Sequence, residues 1–189
     1  FNEPVFTQLA VDEYNAKADG SNFSKADFYN DPSNFISTFN QYASIADMYV
    51  ACHYWDSEAP FIFTREDAKA KDWNIKIVAD ISCDIDCAVA STLRPSTIAE
   101  PLYGYNPITE SEDDFMKEGV IGVMAVDNLP CELPLDASVD FGEMFLEHVL
   151  EPLTGNDPDN IIGRASETLN GELTEHFAYL DDYVNRTVA

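Results

Sequence analysis

The sequence has 189 residues, 46% of them hydrophobic, with 10 basic against 35 acidic side chains and a formal charge of -25. Its length suits one domain with a real core, or one and a half small ones, and its apolar content argues against a disordered chain. The charge argues against nucleic-acid binding and against anionic membrane surfaces, both of which draw on basic patches.

Residues 1 to 30 read as polar and irregular, with a break at Gly20-Ser21-Asn22. The spacing of Phe35, Ile36, Phe39, Tyr42 and Ala43 predicts a helix after Asp31-Pro32. The aromatic run Phe28, Tyr29, Phe35, Phe39, Tyr42 would pack that helix on a sheet. Ile45 to Tyr54 reads as a strand. Thr64 then caps a short helix ending near Lys71. Ile75 to Ile81 is a second strand, apolar throughout as inside a parallel sheet. A long loop runs through Pro95, Pro101 and Pro107 to a third strand, Gly119 to Val126. Ala137 to Leu150 is the strongest helix, and Thr174 to Val184 a last helical segment.

Strand, short helix, strand, long loop, strand, long helix predicts an α/β fold. The expectation is a partial Rossmann-like parallel sheet of about three strands, flanked by helices, with a C-terminal helical segment. The longest apolar run, Val120 to Val126, is far shorter than the ~20 residues a membrane helix needs. No charged-then-apolar leader opens the sequence, and Phe1 is not a usual initiator, so it reads as a piece of a longer chain. Cys52, Cys83, Cys87 and Cys131 are sparse and lie in or beside apolar segments. They read as small buried hydrophobes of a protein in the reducing cytoplasm, and their spacing is not that of a zinc site.

The segment DMYVACHYWDSEAPFIFTREDAKAKDWNIKIVADISCDID, residues 47–86, carries more. With it go the AP-x3-TRE step at Ala59 to Glu66, the VADI-x-x-D strand end and R-P-S-T at Arg94 to Thr97. VDNLPCELPLDAS follows at Val126 to Ser138. In order and spacing these resemble the second half of the nucleotide-binding domain of the alanine dehydrogenase, transhydrogenase and saccharopine dehydrogenase group, nearest its saccharopine branch. The resemblance implies that residues 1–153 are the second half of an NAD(P)-binding Rossmann-like domain. It implies that residues 154–189 return toward a substrate domain. The cofactor would be NAD or NADP and the substrate an amino acid, in an intact parent that is a homo-oligomer.

In that family a glycine fingerprint seats the cofactor pyrophosphate, and the matching part begins after it. Asp84 matches the family's active-site aspartate beside the nicotinamide, where it would orient the substrate amine and handle charge. A turn-forming aspartate is the structural alternative. Ala51, Cys52 and His53 match the strand end against the ribose. Val126, Asn128 and Leu129 match the loop on the nicotinamide, and Ile81 is expected with them among the cofactor-binding residues. Core and turn roles are the alternatives. The family usually has glycine soon after the aspartate, where this chain has Asp86-Cys87. No metal site is expected.

Two functional expectations follow. One is a fragment of an NAD(P)-dependent amino-acid dehydrogenase that supplies the nicotinamide-side half of the site. The other is a non-catalytic association module, or a split subunit that works only with a partner chain, since an incomplete parallel sheet exposes an edge and a face.

Overall fold

The computed structural model describes residues 3–186. In chain order the elements are β1 Asn15–Lys17, α1 Lys25–Asn30, β2 Phe35–Ser37, α2 Asn40–Ala43, β3 Met48–Ala51, β4 Ile77–Asp80, β5 Leu102–Asn106, β6 Ser111–Asp113 and β7 Ile121–Met124. They continue as α3 Pro134–His148, α4 Leu150–Thr154, α5 Ile161–Ala165, β8 Thr168–Leu169, β9 Glu172–Leu173 and α6 Asp181–Val184. Two compact units result, one up to Leu129 and one from Pro130 onward.

The first unit is built on a five-stranded sheet of order β3-β4-β7-β5-β6. β3, β4 and β7 are parallel, as the sequence predicts, although each is shorter than its apolar run. β5 lies antiparallel to β7, and β6 antiparallel to β5. The sheet is therefore mixed, because the predicted long loop contains a hairpin. Leu102 to Asn106 has the alternation that builds one: Tyr103 and Tyr105 point into the core while Leu102 is 44% exposed.

One face of the sheet carries the core. Val78 and Val123 are register partners, Tyr103 stands opposite Val123, and all three are buried. Phe39, Phe63 and Trp73 pack over this face, with ring centroids 6.2 Å apart for Phe39–Phe63 and 4.8 Å for Phe63–Trp73. The Trp73 indole N–H donates to the Ile75 carbonyl at 2.9 Å, so the ring brings its polar group with a partner.

The helix predicted after Asp31-Pro32 does not form. Asp31 instead caps a single 3-10 turn, accepting from the Ser33 N–H, and the chain then extends into β2, paired with β1. Two contacts decide this. Phe35 stands edge-on against Phe28 with centroids 5.0 Å apart. The Ser37 hydroxyl donates to the Ile62 carbonyl at 2.6 Å. Asn34, Ser37 and Thr38 are poor helix formers, so tertiary contacts win over the apolar spacing. The aromatic run is thereby split, Phe28 and Phe35 clustering with Phe23 while Phe39 joins the sheet core.

Thr64 caps as expected: its hydroxyl accepts from the Asp67 N–H at 3.1 Å and donates to the Asp67 carboxylate at 2.6 Å. Only one 3-10 turn, Asp67–Lys69, follows it. The predicted last helix is a 3-10 segment, Glu175–Leu180, running into α6.

The second unit holds α3, the strongest predicted helix, and a small hairpin. β8 and β9 pair across Asn170 and Gly171, whose φ values of 54° and 89° suit a tight hairpin turn. Among its described residues none is buried. Among all described residues no helix is long and apolar enough to cross a membrane.

Candidate active site at the strand ends

β3, β4 and β7 run parallel, so their carboxyl ends lie on one edge, where α/β sheets bind ligands. β4 ends in Asp80, which is fully buried although it is a carboxylate. One oxygen accepts from the Ser82 N–H at 3.0 Å, the Ser82 hydroxyl at 2.6 Å and the Cys83 N–H at 3.2 Å. The other accepts from the buried Thr92 hydroxyl at 2.6 Å. The sequence shows Asp80 as one of three neighbouring acids. Its separate role is missed there, although an aspartate two residues before a serine is a turn signal.

This knot turns the chain sharply. Cys83 takes a left-handed φ of 56° and Asp86 one of 52°. Aspartate is among the few side chains other than glycine that tolerate this region, which lets Asp86 adopt it. Between these two turns Asp84 is exposed to solvent. Beyond them the Asp86 N–H donates to the Thr92 carbonyl at 3.2 Å, and the Asp86 carboxylate pairs with Arg65 at 2.7 Å. The Ile62 N–H holds the Ala88 carbonyl, and Phe63 bridges Val89 in parallel. The loop bearing Asp84 is thus tied down on both sides.

Ala51 closes β3, fully buried, and its carbonyl accepts from the Ile81 N–H at 2.9 Å. Ile81 itself is 40% exposed. Cys52 is exposed and His53 half-buried. The His53 Nδ1 lies 3.5 Å from the Tyr49 hydroxyl, while Nε2 is buried without a hydrogen-bond partner. Burial pushes the imidazole below its ordinary pKa, with Asp80 and Asp84 pulling the other way. Burial likewise raises the Cys83 thiol, helped by Asp80, Asp127 and Asp84, and the Cys87 thiol, helped by Asp84, Asp86 and Asp80.

At the end of β7, Ser96 clasps the strand: its N–H donates to the Ala125 carbonyl at 2.8 Å and its Oγ accepts from the Ala125 N–H at 3.0 Å. Val126 is buried beside it, Asn128 is exposed in the following turn and Leu129 is half-buried. Asp84 and His53 therefore share one electrostatic neighbourhood, which Asp127 enters through Cys83. Ala51 and Val126 lie in the core, and the side chains open to solvent are Cys52, Ile81, Asp84 and Asn128.

The cysteines are not the small buried hydrophobes the sequence suggests. Cys52 and Cys131 are exposed, and Cys83 and Cys87 half-buried: the first three in sequence follow strand ends, and Cys131 sits in the short 3-10 helix Leu129–Glu132. Among the described residues no group of three or more His, Cys, Asp or Glu is arranged to hold a metal.

No family model matches the chain. It does match curated enzymes. It is 30% identical over 172 residues to alpha-aminoadipic semialdehyde synthase of Arabidopsis thaliana, a match covering 87% of this chain and 16% of that protein. It is 27% identical over 193 positions to the mitochondrial alpha-aminoadipic semialdehyde synthase of Rattus norvegicus, covering 87% of this chain and 20% of that one. Over 115 residues, 61% of this chain and 29% of the relative, it is 28% identical to saccharopine dehydrogenase [NAD(+), L-lysine-forming] of Neurospora crassa. The chain thus spans less than a third of each of these relatives. It is a relative of the saccharopine dehydrogenase family, matching one stretch of its longer members.

Proposed function

We propose that this chain forms the nicotinamide-side half of an NAD(P)-dependent amino-acid dehydrogenase site of the saccharopine type. The observation that carries the reading is Asp84, exposed between two left-handed turns at the carboxyl end of β4, in the neighbourhood of His53. The residues fit that half of the cofactor. Asp84 and Asn128 present a carboxylate and an amide to solvent, and the tightly held end of β3 offers backbone to a ribose. Among the described residues no glycine-rich turn stands at these strand ends, so the proposal is confined to the nicotinamide side of the cofactor. Bound NAD(P) supplies the hydride chemistry. Asp84 orients the substrate amine and balances its charge, and the buried ends of β3 and β7 keep water from one side of the site. We also propose a reducing compartment, on the four free thiols.

The test is a titration of isotope-labelled protein followed by NMR. Millimolar nicotinamide mononucleotide is expected to shift the amide signals of Asp84 and Asn128, while ADP-ribose, which keeps the riboses but lacks nicotinamide, leaves these two in place. Shifts with both compounds, or with neither, overturn the reading.

A second reading is association with another copy of the chain. β3 is an edge strand, and the uncovered sheet face presents Met48, Val50, Ile77, Ile81 and Leu102, between 40% and 52% exposed. Parallel sheets are ordinarily covered on both faces.

A further inference from the structure

Asp80 is a carboxylate with no accessible surface, and each of its described hydrogen bonds comes from an uncharged donor. Burying such a charge is costly unless hydrogen bonds replace its water. Four do, and all come from the loop that carries Asp84. Three of them fix Ser82 and Cys83, directly ahead of Asp84. The Cys83 thiol adds a contact to the Asp80 carbonyl at 3.2 Å, and the Cys83 backbone is left-handed. A non-glycine residue keeps that conformation only where its surroundings over-determine it. The fourth bond ties Thr92, at the far end of the loop, to the same carboxylate.

We infer that Asp80 is the positioning residue of this site: its carboxylate gathers both ends of the 82–92 loop and, through the left-handed turn at Cys83, aims Asp84 outward. Asp80 touches no ligand in this scheme. It acts through Asp84, so the inference rests on the nicotinamide-side reading above and adds the residue that sets its geometry.

The experiment compares Asp80→Asn, Thr92→Val and Thr92→Ser with the unaltered chain. Thr92→Val removes one donor with little change of shape, and Thr92→Ser restores it. Two readouts are taken on folded protein: the Cα chemical shift of Cys83, which reports the left-handed turn, and the affinity for nicotinamide mononucleotide. Losing a hydrogen bond to a buried charge is expected to weaken that affinity about tenfold in Asp80→Asn and Thr92→Val. The Cys83 signal moves toward ordinary backbone values in both, and Thr92→Ser restores both readouts. An unchanged Cys83 signal in folded Thr92→Val overturns the inference. So does a Thr92→Val loss that Thr92→Ser fails to restore. If Asp80→Asn does not fold, the two Thr92 variants decide alone. If the unaltered chain shows no nicotinamide response, the functional reading fails while the Cys83 signal still judges Asp80.

Discussion

At the residue scale, the candidate site was legible in part. A strand running into VADI-x-x-D marks Asp84, because acid at a strand end is uncommon inside an apolar run. Asp80 was not legible, because nothing in the local pattern shows that it is buried or that Thr92, twelve residues on, folds back to bond it. His53 shows the same limit and carries a pH prediction. Burial holds its folded pKa below the ordinary value, Asp80 and Asp84 opposing. In the unfolded chain it titrates near ~6.5. Between the folded value and about 6.5 the unfolded chain binds more protons, so stability falls as the pH drops through that window and then levels off. His53→Gln removes the titration and is expected to flatten the fall of Tm between about pH 7 and about pH 5.5. An unchanged slope would show that other groups carry it.

At the element scale, the three parallel strands were legible because each lies in a short, largely apolar run bounded by polar or turn residues. The β5–β6 hairpin was hidden by the prolines around it, and β2 by apolar spacing that fits a helix equally well. The hairpin also holds the tightest backbone approach among the described glycines apart from one side-chain contact at Gly163. A Cβ on Gly104 would lie 2.5 Å from the Asp113 carbonyl oxygen, 2.6 Å from Val120 and 2.7 Å from the Phe115 nitrogen. Two of these are backbone atoms, which cannot swing aside. Gly104→Ala is expected to cost about 2–3 kcal/mol, as overpacking does, read as a lower denaturant midpoint. Gly122→Ala on β7 is the control, since its Cβ would meet only the Lys76 carbonyl at 3.7 Å. Equal effects at the two glycines would show that strand propensity, rather than close approach, governs both.

At the scale of the whole molecule, two features pull against each other. The open face of β3, β4 and β5 favours pairing with another copy, since burying each of its apolar side chains contributes roughly 25 cal/mol per Å². Each copy also carries a formal charge of -25. Two such charges some tens of ångströms apart in water repel by tens of kcal/mol before screening. Exposed ion pairs such as Lys76–Asp47 and Arg94–Glu112 offset little of this, because solvent screens them. Repulsion therefore wins where the Debye length is long, about 30 Å at 0.01 M salt, and fades as it shrinks toward a few ångströms. Sedimentation at about 0.01 M and about 0.5 M salt is expected to show a monomer first and an associated species second. The Met48→Lys, Val50→Glu double variant, which charges the open face without touching the core, keeps the chain monomeric at both. Association that survives that variant would place the contact elsewhere than on the β3 edge, and a monomer at high salt in the unaltered chain would remove self-pairing as the role of this face.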